Sequence, residues 1–204
     1  MGQLDYYDKF GNHLGIKERS VIHEEGLWHK TVHCWIYDDA GNVYFQIRSE
    51  SGKLYTTASG HVDAGETVQE ALKRESLEEV GVEIDFDNTD MVEINVWKYD
   101  DEKEGNTYFD RAFSNVYISK LGRDQNFRLD CDEILGVVKV NACDTLELLR
   151  TGKGSVRALK ILRNKTSSKI VESKVTLEDF FVTPGENAFL KYGKILQSVC
   201  KKRI

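Results

Sequence analysis

Short runs of β-branched and aromatic residues, separated by turn residues, run through most of the chain. Trp28 to Tyr37 is rich in Val, Trp, Ile and Tyr, Asp38-Asp39-Ala40-Gly41 reads as a turn, and Asn42 to Arg48 completes a hairpin. LDYYDKFGNHLG predicts an earlier hairpin turning at Gly11-Asn12, and Arg19 to His23 a further strand ended by Glu24-Glu25-Gly26. Met91 to Tyr99 and Thr107 to Ser119 predict two long strands joined by the polar linker Asp100 to Asn106, and Ile134 to Val140 another. Asp144 to Arg150 starts a helix. From Thr151 the chain carries more Lys, a short apolar set (Val156, Leu159, Ile161, Leu162) and a late helix from Glu186 to Lys201. Thr176 and Asp179 suit a capping box on a short helix. Strands with a few helices among them predict an α/β (α+β) layer architecture.

One segment has a different pattern. Glu66 to Val80 lacks Gly and Pro, is rich in Glu, Ala, Leu, Lys and Arg, and lies between Gly65 and Gly81, which predicts a helix. On it Glu75, Glu78 and Glu79 fall at i, i+3 and i+4, so three carboxylates share a face. Like charges so placed repel, and a hard divalent cation with oxygen ligands reverses that balance. Val68, Ala71 and Leu72 lie on the side of Glu75, so the acidic residues are expected to continue the core-facing stripe. Such buried charges need a partner or a metal.

Composition narrows the class. The 204 residues are 40% apolar and 30% charged, the profile of a soluble globular protein. A net charge of −6 argues against a nonspecific nucleic-acid duplex or membrane surface. The four cysteines, Cys34, Cys131, Cys143 and Cys200, show no Cys-x-x-Cys pair, and free thiols in a reducing cytoplasm are the simplest reading. No run approaches the ~20 apolar residues of a membrane span, so a cytoplasmic protein is expected.

GHVDAGETVQEALKRESLEEVGV, Gly60 to Val82, fills Gly60, Glu66, Arg74, Glu75, Glu78, Glu79 and Gly81 in one register. It resembles the Nudix box, the signature of hydrolases that cut diphosphate linkages with a divalent metal. The resemblance implies the Nudix fold, a mixed β-sheet sandwiched between helices. It further implies Mg²⁺ or Mn²⁺ held by Glu78, Glu79 and the Gly60 carbonyl, with Glu75 as third ligand or as the base. Catalytic roles fall to Glu75, Arg74 and Glu79, with Arg74 pairing to Glu66 or Glu75. For the further carboxylate that several such enzymes place on the loop opposite the helix, Asp130, Asp132 and Glu133 are the candidates, Glu133 first, the alternative being a solvated loop. Ser76 stands where the box prefers an aliphatic residue, pointing away from the acidic face at a small packing loss.

Upstream, GLWHKTVHCWIYDDAGNVYFQIRS is similar to the matching region of type I isopentenyl-diphosphate isomerases. His29 and His61 match histidines that help bind metal there; the alternative is a hydrogen-bonded structural role. Ser59 stands where the isomerase needs a catalytic cysteine, and YFDRAF offers only Asp110 where it needs glutamates. A hydroxyl is a poor replacement for a tuned thiol in moving protons on an alkene. Hydrolysis is therefore the better reading, with an isomerase-like enzyme or a non-catalytic diphosphate-binding module as alternatives. His33 alternates with Thr31 and Trp35, either lining the pocket or packed, and His13 and His23 give no signal. Trp28, Trp35 and Trp97 either meet a base or lipid chain or belong to the core.

A Nudix domain over 1–150, with its N-terminal hairpin, and a C-terminal helical extension over 151–204 packed on the same domain are expected. The expected partner is a small-molecule diphosphate substrate, and a homodimer is an open option.

Overall fold

The chain opens with the expected hairpin, β1 (Gln3–Tyr7) and β2 (His13–Glu18). Its tip is held by Asp8, whose carboxylate accepts from the Phe10 and Asn12 amides at 2.8 and 3.0 Å. The structure, a computed structural model, describes residues 2–103, 106–129, 132, 134–162, 169–183 and 186–202. The strand expected next is a helix, α1 (Arg19–Glu25). Gly26 takes φ 64° and its N–H meets the Ile22 carbonyl, which closes the helix. Val21-Ile22 suggested a strand because an apolar pair is too short to show a period.

There follow β3 (Trp28–Tyr37), β4 (Asn42–Arg48), β5 (Leu54–Tyr55), β6 (Ala58–His61) and α2 (Val68–Val80). After these come β7 (Thr89–Lys103), β8 (Asn106–Lys120), β9 (Ile134–Asn141), α3 (Ala142–Thr151), β10 (Val156–Leu162), β11 (Lys169–Val175) and α4 (Ala188–Lys201). The polar linker expected between β7 and β8 is strand instead, with pairing continued to Lys103↔Asn106. A ladder satisfies its own backbone, so a polar stretch can continue it. The extension after Thr151 is only partly helical. The helix forms as expected, but β10 and β11 add two antiparallel strands beyond β9. Thr176 caps a 3₁₀ turn at Leu177–Asp179, its N–H and hydroxyl both donating to the Asp179 carboxylate.

All the strands join one mixed sheet, in the order β11-β10-β9-β4-β3-β1-β2. β8 runs parallel to β3, from Trp28↔Arg111 to Tyr37↔Lys120, and β7 lies outside β8. β6 pairs antiparallel with the middle of β3, placing Thr31 opposite His61. Alternation sorts the side chains to two faces. Val32, Cys34 and Ile36 of β3 pack with Tyr44 against Ala71, Leu72 and Val80 of α2. Trp35, Tyr37, Val43 and Phe45 pack on the other face against Leu148, Tyr192, Ile195 and Leu196 of α3 and α4. The expected sheet between helices is what forms.

The cysteines are not all free thiols. Cys143 at the start of α3 and Cys200 near the end of α4 form a disulfide, with Cα atoms 5.6 Å apart. The two helices lie side by side, which a separation of 57 residues does not reveal. Cys34 is free and buried, and burial pushes its thiol up to about 12. Among the described residues no helix is long and apolar enough to cross a membrane.

Candidate active site

The acidic helix is fixed at both ends. Thr67 accepts from the Glu70 N–H at 3.2 Å while Glu70 accepts from the Thr67 N–H at 2.8 Å, a reciprocal capping box. Gly81, at φ 69°, closes the C-terminus against the carbonyls of Leu77 and Ser76. The buried stripe is Ala71, Leu72, Ser76, Glu79 and Val80. Of the three carboxylates, only Glu79 therefore continues into the core as expected. The Glu75 side chain is 16% exposed at its edge, and Glu78 is 61% exposed. Successive helical residues turn by about 100°, so one narrow core stripe does not take all three. Ser76 is fully buried beside the Cys34 thiol.

Arg74 organises the acidic edge. Its Nε and Nη2 donate to the two Glu66 oxygens at 2.9 and 2.8 Å, and Nη1 donates to Glu75 Oε1 at 2.7 Å. Nη2 also reaches the His61 carbonyl at 2.9 Å, and Glu78 lies 3.4 Å from Nη1. The two expected partners are thus both engaged. The Glu75 carboxylate lies directly over Gly60, where an added Cβ would fall 2.0 Å from its carboxyl carbon. Glu79 accepts from the Ser59 N–H at 2.8 Å and from Gln46 Nε2 at 3.5 Å. Glu133 and Asp130 lie outside the described residues, and Asp132 is exposed.

Three imidazoles meet beside this edge. Ring nitrogens of His23, His29 and His61 lie within 4.8 Å of one another. His23 Nδ1 faces the Phe109 carbonyl at 3.1 Å and His29 Nδ1 the Leu27 carbonyl at 3.2 Å. These contacts place the proton on Nδ1 and turn a lone pair on Nε2 inward, the arrangement of a metal-ligating histidine. His23 Nε2 is 3.1 Å from His61 Nε2, while His29 Nε2 has no hydrogen bond. Burial lowers all three, His29 to about 4 and His61 well below its ordinary value. Neutral imidazole is the ligand form.

Asp110 of β8 stands 3.5 Å from His29 Nε2. Burial raises its carboxyl to about 6 against a hydrogen bond from Trp97. His23 carries no signal in the sequence because its segment reads as a strand; α1 is what turns it toward β3.

Gly60, Ser59, His61, Glu79 and Asp110 line a cleft of about 420 Å³ with Arg19 and Arg48 at its rim. Among the described residues, the Arg19 side chain makes no hydrogen bond or ion pair, and Arg48 pairs with Glu50 at 3.0 Å. The cleft thus joins hard oxygen ligands, imidazoles and cations, a set suited to a metal ion and a phosphate. Of the tryptophans, Trp35 is core, Trp28 stacks on Phe113 at 4.9 Å, and Trp97 borders a second cavity.

A family model described as the NUDIX domain matches residues 27–159. An uncharacterized Nudix hydrolase of Clostridium acetobutylicum is 30% identical over 188 residues, covering 88% of this chain and 89% of its own. Isopentenyl-diphosphate Delta-isomerase 2 of Photorhabdus laumondii is 32% identical over 79 residues, 36% of this chain and 45% of that one. Among solved structures, DR0079 of Deinococcus radiodurans shares the fold, with a TM-score of 0.53 and 20% identity over 74% of this chain and 90% of its own. The matched region runs from β3 through β9 and α3 into β10, and it carries the acidic helix with it. By that match, and by a relative aligned over nearly its whole length, this chain belongs to the Nudix hydrolase family.

Proposed function

We propose that the protein hydrolyses a diphosphate linkage in a small molecule, a nucleoside diphosphate derivative or a related compound. The observation that carries this reading is the Glu75 carboxylate held over Gly60 by Arg74, beside the cleft that Glu79 lines. Glu75, Glu79 and the Gly60 carbonyl, with Glu78 at the rim, would hold Mg²⁺ or Mn²⁺. An all-oxygen donor set fits either ion. When bound, the cation polarises a water and offsets phosphate charge. Arg74 positions Glu75, and the Ser59 N–H fixes Glu79 in the cleft. Glu75 is the third ligand or the base that takes the water's proton. Arg19 and Arg48 meet phosphate oxygens from the rim.

The His23, His29 and His61 cluster favours a second reading, an isomerase-like enzyme with a metal on the imidazoles. Ser59 in place of a cysteine weighs against it. The test is to incubate the protein with Mg²⁺ or Mn²⁺ and a pool of diphosphates, isopentenyl diphosphate included, and identify products by mass spectrometry. Phosphate-ester products, lost by at least ~100-fold in Glu79→Gln, support hydrolysis. Dimethylallyl diphosphate without hydrolysis supports the second reading. Wild-type rates in Glu79→Gln would sink the role given to the acidic helix.

A further inference from the structure

Three of the longer strands, β2, β7 and β11, are paired on one side alone among the described residues. Such an edge shows a row of unpaired N–H and C=O groups to any other strand, and proteins commonly blunt it with a bulge. Two of the three are blunted. The β1–β2 ladder slips between Tyr6 and Tyr7, and β2 has its charges engaged within the chain, His13 with Asp5, Lys17 with Glu25 and Glu18 with Gln3. The β7–β8 ladder slips between Met91 and Glu93, and Asp90, Glu93 and Asp100 pair with Lys202, Lys194 and Arg111.

β11 has neither device. Its ladder with β10 runs without a shift from Val156↔Val175 to Leu162↔Lys169, and the strand contains no proline. Among the described residues, the side chains of Lys169, Glu172 and Lys174 make no hydrogen bond or ion pair. Beside them Ile170 is 67% exposed, and Leu159 on β10 is 38% exposed. The strand also lies outside the family match, which ends at residue 159. An open, regular edge with uncommitted charges is suited to another strand.

The order of those charges points to the strand that fits. Alternation puts Ile170, Glu172 and Lys174 on one face of β11 and Val171, Ser173 and Val175 on the other. A second copy added antiparallel about a two-fold axis sets residue i opposite j and j opposite i. Opposed residues share a face, so the axis passes through a residue. At Glu172 it would set glutamate against glutamate, and at Lys174 lysine against lysine. At Ile170 or Val171 it would leave Glu172 and Lys174 without a charged partner. With the axis at Ser173, Glu172 of each copy faces Lys174 of the other, and Val171 faces Val175. We propose that β11 is a self-association surface that pairs antiparallel with β11 of a second copy of this chain, with Ser173 on the two-fold axis. Main-chain bonds supply the attraction, and the two charge pairs set the register. β9 and β10 stand between β11 and the nearest strand of the cleft, β4, so each copy keeps its own site outside the interface.

Sedimentation velocity on the full-length protein tests this. Between ~1 and ~200 µM the wild type should pass from monomer to dimer, as suits an interface at the small end of the range. Glu172→Lys and Lys174→Glu should each weaken dimerisation by about tenfold or more, because two attractive pairs become repulsive. An equimolar mixture of the two variants should recover the dimer, since every lysine of one then faces a glutamate of the other. The double exchange, Glu172→Lys with Lys174→Glu, should recover it within a single chain. Both positions are exposed, so circular dichroism should stay unchanged throughout. A monomer over the whole range, a dimer untouched by either reversal, or no recovery in the mixture and the double exchange overturns the proposal.

Discussion

Arg74 touches Glu66, Glu75, Glu78 and the His61 carbonyl at once, so a single guanidinium sets the shape of the acidic edge. Lysine cannot make the paired contact to Glu66, because only the planar fork presents two parallel donors. Gly60 is the counterpart on the sheet. Its lack of a side chain is what admits Glu75, since a methyl there would sit 2.0 Å from the carboxyl carbon. Gly60→Ala is therefore expected to displace Glu75 and lower turnover by about tenfold or more while the fold survives. Steady-state kinetics alongside circular dichroism checks it, and an unchanged rate would mean that Glu75 is not needed in that place.

At this scale the acidic edge was legible in the sequence, because Arg74, Glu75, Glu78 and Glu79 share one helix and helical spacing is readable. Their differing depths were not, since depth depends on where the sheet lies. His29 and His61 are visible in the sequence as metal ligands or structural histidines, and the structure brings them together with His23. His23 escaped because its partners are 6 and 38 residues away, on other elements.

Among the elements, α4 is held to the rest of the fold by core packing, a hydrogen bond and a covalent bond. Tyr192 and Ile195 enter the core, the Tyr192 hydroxyl donates to the Phe181 carbonyl, and the Cys143–Cys200 bond ties its end to α3. Closing a loop of 57 residues limits the unfolded chain, which by the chain-entropy argument stabilises by up to about 4 kcal/mol. Replacing both cysteines with serine is expected to cost about 2–4 kcal/mol in urea unfolding. Alkylation after unfolding should label two more thiols per wild-type chain once a reductant is added. Equal labelling with and without reductant would contradict the bond. β10 and β11 are the elements least visible in the sequence. Their alternation of Lys, Glu and Ser with aliphatic residues is weak because an outer hairpin buries little, with only Val156, Ala158 and Val175 fully inside.

For the molecule as a whole, metal should act as a stabiliser as well as a cofactor. A cation that binds only the folded chain adds about 2.7 kcal/mol at roughly a hundredfold excess over Kd. For a domain of this size that is a rise of about 5–10 °C in Tm. The carboxylates accept Mg²⁺ or Mn²⁺, whereas imidazole nitrogens favour the softer ion. Mn²⁺ is accordingly expected to raise Tm further than Mg²⁺, with the excess lost in His23→Ala. Equal shifts for both ions in wild type and variant would show that the imidazoles take no metal. The layered architecture itself was legible from hairpin and helix signals. The pairing that completes it was not, because β3 and β8 are parallel partners some eighty residues apart.

β3 pairs with β1, β4, β6 and β8, and the site is arranged around it. His29 and His33 belong to β3, His61 to β6 and Asp110 to β8, with α1 delivering His23 just before β3 begins. The hairpin partner β4 is local, but β8 must return across a long intervening chain, and such closures are slow. A half-folded molecule can thus hold most of its helices and hairpins while its cleft lacks Asp110 and the β7–β8 wall of the second cavity. The cleft is complete only once β8 has paired with β3, so a chain that lacks this pairing holds much of its secondary structure around an unfinished site.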